Sequence, residues 1–223
     1  MAKRIVLFLT DSLGLPRDRQ VDRVDWHETY ITAVRNSRTD LEIIHIGIPA
    51  ATITELVRVA QYYRSTLPAA VILQSGIVDC APRTLTIFEL EMVKRLRIFR
   101  LVKHMKLILR KYRNVYYTKP KDFEAGIQRL KMIFPQAKII SCGILPARQA
   151  YEDALPGVSR RIKEFNEILK RNTHFIDNSD FPDFGIAADH HHLTAEGNRL
   201  VAEKVIKAVD SLADDDHGRT PSA

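Results

Sequence analysis

The chain contains little cysteine and no long apolar run. Its 223 residues include two cysteines, Cys80 and Cys142, which form neither a disulfide framework nor a metal-ligand spacing, so we expect free thiols. No apolar stretch approaches the length that spans a bilayer, and the run after Met1 to Arg4 is too short for a secretory signal. We therefore expect a soluble, cytoplasmic protein, and the chain is long enough to bury a core without disulfides.

Acidic residues are missing from one segment. Between Met92 and Lys121 the chain has eleven Lys or Arg residues and no Asp or Glu. Because the net charge of the whole chain is +7, the remainder carries −4. The basic segment Lys94 to Lys121 is a candidate surface for an anionic polymer or an anionic membrane, and a solvated helix face is the simpler alternative. We expect no specific binding of nucleic acid.

Short apolar runs alternate with segments of helical periodicity. The predicted strands are Ile5 to Leu9, Leu41 to Ile46, Ala69 to Leu73, Ala137 to Ser141 and Thr173 to Ile176. The predicted helices are Trp26 to Asn36, Thr54 to Arg64, Thr86 to Arg113, Pro120 to Phe134, Ser159 to Arg171 and Ala195 to Leu212. This alternation predicts a three-layer α/β/α, flavodoxin-like sandwich with a five-stranded parallel sheet. We expect one domain over residues 1–212 and a disordered tail over residues 213–223.

Ser12 directly follows the first predicted strand. The carboxyl ends of parallel strands are where ligands bind in α/β folds, so Ser12 is a candidate nucleophile. Asp189 and His192 lie three positions apart before the last predicted helix and could supply the acid and the base. A carboxylate that fixes one ring nitrogen leaves the other free to take the serine proton. The alternative is structural, with Asp189 as a helix cap and His192 as a packing residue.

The three adjacent histidines, His190 to His192, also raise the alternative of a metal site that includes Asp189. Side chains of consecutive residues diverge, however, and no second cluster of ligands stands out in the chain. We therefore expect neither a metal nor another cofactor.

Three blocks of sequence together resemble the SGNH, or GDSL, hydrolases. They are Asp11-Ser12-Leu13, Gly76-Ile77-Val78-Asp79, and Asp189-x-x-His192-Leu193-Thr194 followed by Gly197. The match spans most of the chain in order and spacing. The resemblance implies a serine ester hydrolase in which Ser12 is the nucleophile, His192 the general base and then acid, and Asp189 the orienting carboxylate.

The chain departs from the family pattern at the oxyanion hole. The family usually has a glycine after its second strand and an asparagine after its third. At these two positions this sequence has Ala50 and Val78. Ala50 keeps a backbone N–H, provided that its φ need not be positive. Valine has no side-chain donor. We expect the backbone of Ser12, Ala50 and Gly76 to line the hole. The hypothesis for the missing donor is a side chain from the group Gln74, Ser75 and Arg83.

Substrate-binding residues are expected at the same edge of the sheet. Arg17 and Arg83 follow prolines in loops, and their guanidinium groups could bind a carboxylate or phosphate on an acidic sugar. The alternative for both residues is a structural salt bridge with Glu28 or another loop acid. Asp79, at the end of the block Gly76-Ile77-Val78-Asp79, is a further candidate for substrate binding.

We expect a hydrolase that removes a small acyl group through an acyl-enzyme on Ser12, with an O-acetyl group on a carbohydrate as the candidate substrate. No large apolar insertion is present to form a lid or a lipid groove. Two alternatives stay open. One is an O-acyltransferase that passes the acyl group to a polysaccharide with the same three residues. The other is a catalytically impaired module that binds a glycan or a membrane surface.

Overall fold

A five-stranded parallel sheet forms the centre of the protein. The computed structural model describes residues 3–96, 113 and 115–217. The strands are β1 (Arg4–Thr10), β2 (Leu41–Gly47), β3 (Ala70–Gln74), β4 (Lys138–Cys142) and β5 (His174–Ile176). Their order in the sheet is β2-β1-β3-β4-β5, and each neighbouring pair is parallel. The predicted strands and the flavodoxin-like α/β/α architecture are therefore confirmed.

Helices cover both faces of the sheet. They are α1 (Tyr30–Ser37), α2 (Ile53–Ala60), α3 (Ile77–Cys80), α4 (Ile87–Leu96), α5 (Pro120–Ile133), α6 (Gln149–Ala154), α7 (Val158–Asn172) and α8 (Ala195–His217). Short 3₁₀ segments lie at Ser12–Gly14, Trp26–Glu28, Gln61–Thr66 and Asp183–Gly185. Helix α1 packs on α8, whereas α5 packs between α2 and α7. The right-handed crossovers of parallel strands account for these two layers.

Two predicted helices are split, and one reaches further than expected. The segment Trp26 to Asn36 breaks at Thr29, whose extended backbone and hydroxyl cap the start of α1. The segment Thr54 to Arg64 passes from α-helix into a 3₁₀ segment after Ala60. Helix α8 continues to His217 and so includes residues 213–217 of the predicted tail, while residues 218–223 lie outside the described residues.

Helix α4 is the described part of the predicted helix Thr86 to Arg113. Residues 97–112 and 114, and with them most of the basic segment Lys94 to Lys121, lie outside the described residues. The residues that flank this predicted helix contact each other: the backbone N–H of Arg83 donates to the carbonyl of Val115 at 2.8 Å. No described helix combines the length and apolar composition needed to cross a membrane.

The core explains why these segments adopt their structure. Strand β1 is a continuous apolar run from Val6 to Leu9 that is almost fully buried, as expected for a central parallel strand. Helix α7 turns Ile162, Phe165 and Leu169 inward at helical spacing. Phe165 meets Phe123 of α5 with the ring centroids 4.6 Å apart. This packing fixes the sheet whose edge carries the candidate site.

The carboxyl ends of β1 and β3 lie side by side at the point where the chain changes direction across the sheet. Helix α1 leads from β1 to one side, and the connection after β3 leads to the other. Crevices at such points bind ligands in open α/β sheets. The N–H of Asp11 donates to the carbonyl of Gln74 at 3.1 Å, so the residue before Ser12 is tied to the neighbouring strand.

Candidate active site

Ser12 begins a tight turn at the end of β1. The side chain of Asp11 accepts a hydrogen bond from the N–H of Leu13 at 2.9 Å and caps the 3₁₀ segment Ser12–Gly14. Asp11 is fully buried, and Ser12 is half-buried. A short polar cap and a rigid strand therefore hold the hydroxyl of Ser12 at the sheet edge.

Ser12, His192 and Asp189 form a continuous chain of hydrogen bonds. The Oγ of Ser12 lies 2.9 Å from Nε2 of His192, and Nδ1 of His192 lies 2.8 Å from Oδ2 of Asp189. An ionised carboxylate can only accept, so Nδ1 carries the proton in this tautomer and Nε2 accepts from the serine hydroxyl. This arrangement is that of a nucleophile, a general base and an orienting carboxylate.

The turn from Asp189 to His192 is shaped by its own backbone. The Oδ1 of Asp189 accepts from the N–H of His192 at 3.2 Å, so both carboxylate oxygens contact the same histidine. His190 adopts a left-handed φ of 69°, which turns the chain sharply between the two residues. Thr194 then caps the start of α8 by accepting from the N–H of Gly197 at 3.0 Å.

Positive charge surrounds the carboxylate of Asp189. Burial acts to raise the pKa of Asp189, but the hydrogen bond from His192 and the imidazoles of His191 and His192 outweigh it and hold the pKa well below its usual value. Nη2 of Arg17 lies 2.7 Å from Oδ2 of Asp189, and Nη1 of Arg19 lies 3.8 Å from the same oxygen. Asp189 therefore stays ionised throughout the neutral pH range.

His191 occupies a different place from His192. Its ring stacks on Tyr151 with centroids 5.4 Å apart, and its Nδ1 lies 2.8 Å from the backbone oxygen of Asp189. Burial, together with the neighbouring His192, lowers the pKa of His191. We therefore assign His191 to the wall of the site.

A cleft of ≈ 300 Å³ opens in front of Ser12. Ala50, Val78, Arg83 and Tyr151 are among the residues that line it with Ser12 and His192. The aliphatic part of this lining comes from Pro49, Ala50, Ile77, Val78 and Ala81. Gly76, expected at the oxyanion hole, is not among the described residues that line this cleft. It is the N-cap residue before α3, with a φ of 123°, and a side chain there would overlap Ile144.

Ala50 has a positive φ, contrary to the condition under which an alanine was expected to fit at this position. Its φ is 58°, the left-handed region that glycine adopts freely and alanine adopts at a cost of about 1–2 kcal/mol. A glycine at this position would adopt the same conformation without this cost. Ala50 lines the cleft beside Ser12. Its backbone N–H has no hydrogen-bond acceptor among the described residues.

Of the three side chains considered for the missing donor, only Arg83 lines the cleft with Ser12 in the described part of the chain. The hydroxyl of Ser75 points to the buried Asp79 at 3.5 Å. Gln74 borders a separate cavity behind Tyr151. Arg83 is therefore the candidate for the missing side-chain donor.

Among the described residues, a backbone carbonyl and an aromatic ring hold Arg83 in place, and no carboxylate pairs with it. Its Nη2 donates to the carbonyl of Val78 at 3.0 Å, and its guanidinium carbon lies 5.0 Å from the ring centroid of Tyr117. Its Nε is buried and has no hydrogen-bond partner among residues 3–96, 113 and 115–217. A buried donor without a partner is expensive unless a ligand supplies the acceptor.

Asp79 is placed differently from the prediction of a substrate-binding role. Its side chain is fully buried, accepts from the hydroxyl of Thr118 at 2.6 Å, and accepts from the N–H of Ile53. Burial raises the pKa of Asp79 to about 6. These bonds join the start of α2 to the loop before α5, which is a structural task.

Arg17 also departs from the predicted contact with substrate. It forms the salt bridge that was the structural alternative, with Asp189 as the acid instead of Glu28. Glu28 instead accepts from the backbone N–H of Asp25 at 2.8 Å. Nothing local in the sequence links Arg17 to a residue at the other end of the chain.

Two groups of side chains have the spacing of possible metal ligands within the described residues. One consists of Asp189, His191 and His192, and the other of Asp25, His27 and Glu28. In the first group Arg17 and the hydroxyl of Ser12 already engage Asp189 and His192. The second group lies on an exposed 3₁₀ segment, where Asp25 pairs with Arg23 at 2.9 Å. Neither group presents a free set of converging ligands.

A scan against protein-family models found no match for the sequence, and a search of curated proteins also found none. Solved structures do resemble it. A lipase/acylhydrolase from Enterococcus faecalis is 15% identical with a TM-score of 0.67, over 93% of this chain and 96% of that one. The psychrotrophic esterase EstA from Pseudoalteromonas sp., in a structure inhibited by monoethylphosphonate, is 14% identical with a TM-score of 0.60, over 95% and 100%.

A member of the lipolytic G-D-S-L family from Veillonella parvula is 14% identical with a TM-score of 0.61, over 92% of this chain and 97% of that one. Identities this low compare folds. The chain therefore has the fold of the GDSL lipases and acylhydrolases, and the expected resemblance is confirmed at that level.

Proposed function

We propose that this protein is a serine ester hydrolase of the SGNH type that removes a small acyl group through an acyl-enzyme on Ser12. One observation carries the proposal. The chain of hydrogen bonds from Ser12 through His192 to Asp189 joins residues 180 positions apart, with both bonds at 2.8–2.9 Å. A structural role for Asp189 or His192 alone would not require a serine hydroxyl on the free ring nitrogen.

The chemistry follows from the assigned roles. The Oγ of Ser12 forms a bond to the acyl carbon while its proton passes to Nε2 of His192. The ester bond breaks, and the leaving alcohol takes that proton. Water then attacks the acyl carbon, His192 accepts the water proton, and the acid leaves as that proton returns to Ser12. Asp189 stabilises the imidazolium in both half-reactions.

The oxyanion is assigned three donors. Two are the backbone N–H groups of Ser12 and Ala50, two residues that line the cleft. The third is the Arg83 guanidinium, which replaces the amide that Val78 lacks. The support for Arg83 is its position in the cleft, its buried Nε without a partner in the described chain, and its anchorage on Val78 and Tyr117.

The cleft favours a short acyl group on a polar alcohol. Its ≈ 300 Å³ is at the lower end of ligand pockets, and small residues such as Pro49, Ala50 and Ala81 line it. Arg83 adds a cation that suits an anionic group near the ester, as on an acidic sugar. We therefore propose O-acetyl esters of carbohydrates as the substrate class.

Hydrolysis of p-nitrophenyl acetate by wild type and Ser12→Ala tests the reaction, with Ser65→Ala as the control because Ser65 is exposed in a 3₁₀ segment remote from the cleft. We expect Ser12→Ala to lose at least about 10³-fold in kcat/KM and Ser65→Ala to lose nothing. Equal activity of wild type and Ser12→Ala would overturn the proposal.

The substrate class is tested with matched esters and glycans. We expect p-nitrophenyl acetate to be turned over faster than the octanoate, and an O-acetylated acidic polysaccharide to release acetate. Preference for octanoate would contradict the small acyl group. Transfer of acetyl to an added oligosaccharide in place of acetate release would assign the same residues to an acyltransferase.

A further inference from the structure

The loop between Ser12 and α1 is fastened to the turn that carries Asp189. Arg17 and Val24 pair across this loop through two backbone hydrogen bonds of 2.7 and 3.0 Å. Asp22, at a left-handed φ of 59°, accepts from the N–H of Ala188 at 2.6 Å. Arg17 makes the second connection, to Asp189 itself.

Arg17 and His192 share one oxygen atom. Nη2 of Arg17 lies 2.7 Å from Oδ2 of Asp189, and Nδ1 of His192 lies 2.8 Å from that same oxygen. The side chains of Arg17 and Asp189 are 11% and 15% exposed, so water screens this pair weakly. A charge this close changes how strongly the carboxylate stabilises a positive imidazole.

Within the described residues, the buried guanidinium of Arg17 has a donor nitrogen without a hydrogen-bond partner. Its Nη1 is buried and has no hydrogen-bond acceptor in the described part of the chain. Leaving a guanidinium donor unpaired is destabilising, and a residue chosen for stability alone would avoid it. An unsatisfied buried donor calls for an explanation, and a role in the adjacent site is one.

We propose that Arg17 is a positioning residue: its guanidinium holds Oδ2 of Asp189 against His192, and its positive charge extends activity to lower pH. This rests on the proposed function only in taking Ser12, His192 and Asp189 as the reacting set. The charge of Arg17 opposes protonation of His192, so the imidazole stays available as a base in more acidic solution.

Other charged or titratable side chains also lie near Arg17 and Asp189. Arg19 approaches the same oxygen at 3.8 Å, but its side chain is 68% exposed and its effect is screened. His191 lies on the same turn, with its ring centroid 4.2 Å from that of His192. Asp11, at the end of β1, also interacts with His192, and Arg83 lines the same cleft as His192. The side chain of Arg17 is less exposed than those of Arg19 and His191.

The test compares the pH profiles of wild type, Arg17→Gln and Arg17→Lys, with Arg23→Gln as the control. Arg23 lies in the same loop and pairs with Asp25 instead of Asp189. We expect Arg17→Gln to move the acid limb of kcat/KM for p-nitrophenyl acetate to higher pH by about one unit. It should also lower kcat with little change in KM. Arg17→Lys should restore the acid limb, and Arg23→Gln should leave it unchanged.

A titration by NMR makes the result independent of turnover. The ring C2–H signal of His192 should titrate at higher pH in Arg17→Gln than in wild type, and the shift should be small in Arg19→Gln. An unchanged acid limb and an unchanged His192 titration in Arg17→Gln would overturn the proposal while leaving the esterase intact. If wild type neither hydrolyses the ester nor reacts at Ser12, the esterase fails, and the titration still decides whether Arg17 acts on His192.

Discussion

Ser12 and His192 are separated by 180 positions in the sequence, yet Oγ of the first lies 2.9 Å from Nε2 of the second. The contact exists because β1 ends beside the turn that precedes α8. A rigid parallel sheet supplies the serine, and a capped helix start fixes the histidine. Each of the following predictions depends on one feature around this contact.

Arg83 is predicted to supply a catalytic hydrogen bond. Loss of one oxyanion donor typically lowers kcat by about 10²–10³-fold. We expect Arg83→Met to fall in this range for p-nitrophenyl acetate, with a smaller change in KM. The control is Arg64→Met, because Arg64 is exposed in the 3₁₀ segment Gln61–Thr66. Full activity of Arg83→Met would remove Arg83 from the oxyanion hole.

Val78→Asn tests the same assignment from the opposite side. Val78 stands at the position where the resemblance leads us to expect an asparagine, and it lines the cleft with Ser12. An amide there should donate to the oxyanion and restore part of the activity lost in Arg83→Met. We expect the double variant to exceed Arg83→Met by about tenfold in kcat. Lower activity in the double variant would show that the two positions do not serve one donor site.

Ala50→Gly is predicted to stabilise the fold. The left-handed φ of Ala50 is strained for alanine by about 1–2 kcal/mol, while glycine adds about 0.4–1 kcal/mol of chain entropy to the unfolded state. The net gain in free energy of unfolding should be about 0.5–1 kcal/mol, measured by urea denaturation. Ala51→Gly, at a buried neighbouring position, should instead destabilise. A destabilised Ala50→Gly would show that the side chain of Ala50 makes contacts worth more than the strain.

Asp11→Asn is predicted to stabilise the protein above neutral pH. Burial raises the pKa of Asp11 from 3.8 to about 7, so the folded state binds the proton more tightly than the unfolded state. Ionisation of Asp11 therefore lowers the stability of wild type as the pH rises from about 4 to about 7, and the asparagine variant lacks this contribution. Asparagine can keep the bond from Leu13 N–H.

The difference in free energy of unfolding between Asp11→Asn and wild type isolates the contribution of Asp11. His45, whose burial lowers its pKa to about 4, contributes a trend of the opposite sign, because its folded form resists protonation between about pH 4 and 6.5. We expect the variant to exceed wild type by about 1–3 kcal/mol at pH 8 and to match it near pH 4, by urea denaturation at each pH. A difference independent of pH would contradict the raised pKa of Asp11.

The fold was predictable because its signals are local. Each strand is a short apolar run with turn residues on both sides, and helices such as α7 show regular apolar spacing. The meeting of Ser12, Asp189 and His192 could be predicted because each lies beside a strand end or a helix start. The break before α1 was missed because Thr29 reads equally well inside a helix and at its cap.

The parts that sequence did not show depend on distant contacts or on backbone angles. Asp79 is buried because Thr118 and Ile53, from two other segments, satisfy its carboxylate. The salt bridge of Arg17 needs the folded loop to reach Asp189. The positive φ of Ala50 carries no signal in an alanine, since an L side chain gives no sign of a left-handed position.

The proposed function requires Ser12 to be an activated nucleophile. The most direct measurement is reaction with a fluorophosphonate, followed by intact mass and peptide mapping. We predict one adduct per chain, on Ser12, absent in Ser12→Ala and formed much more slowly in His192→Asn. A folded wild-type protein that stays unmodified, or that carries its adduct on another residue, would contradict the account.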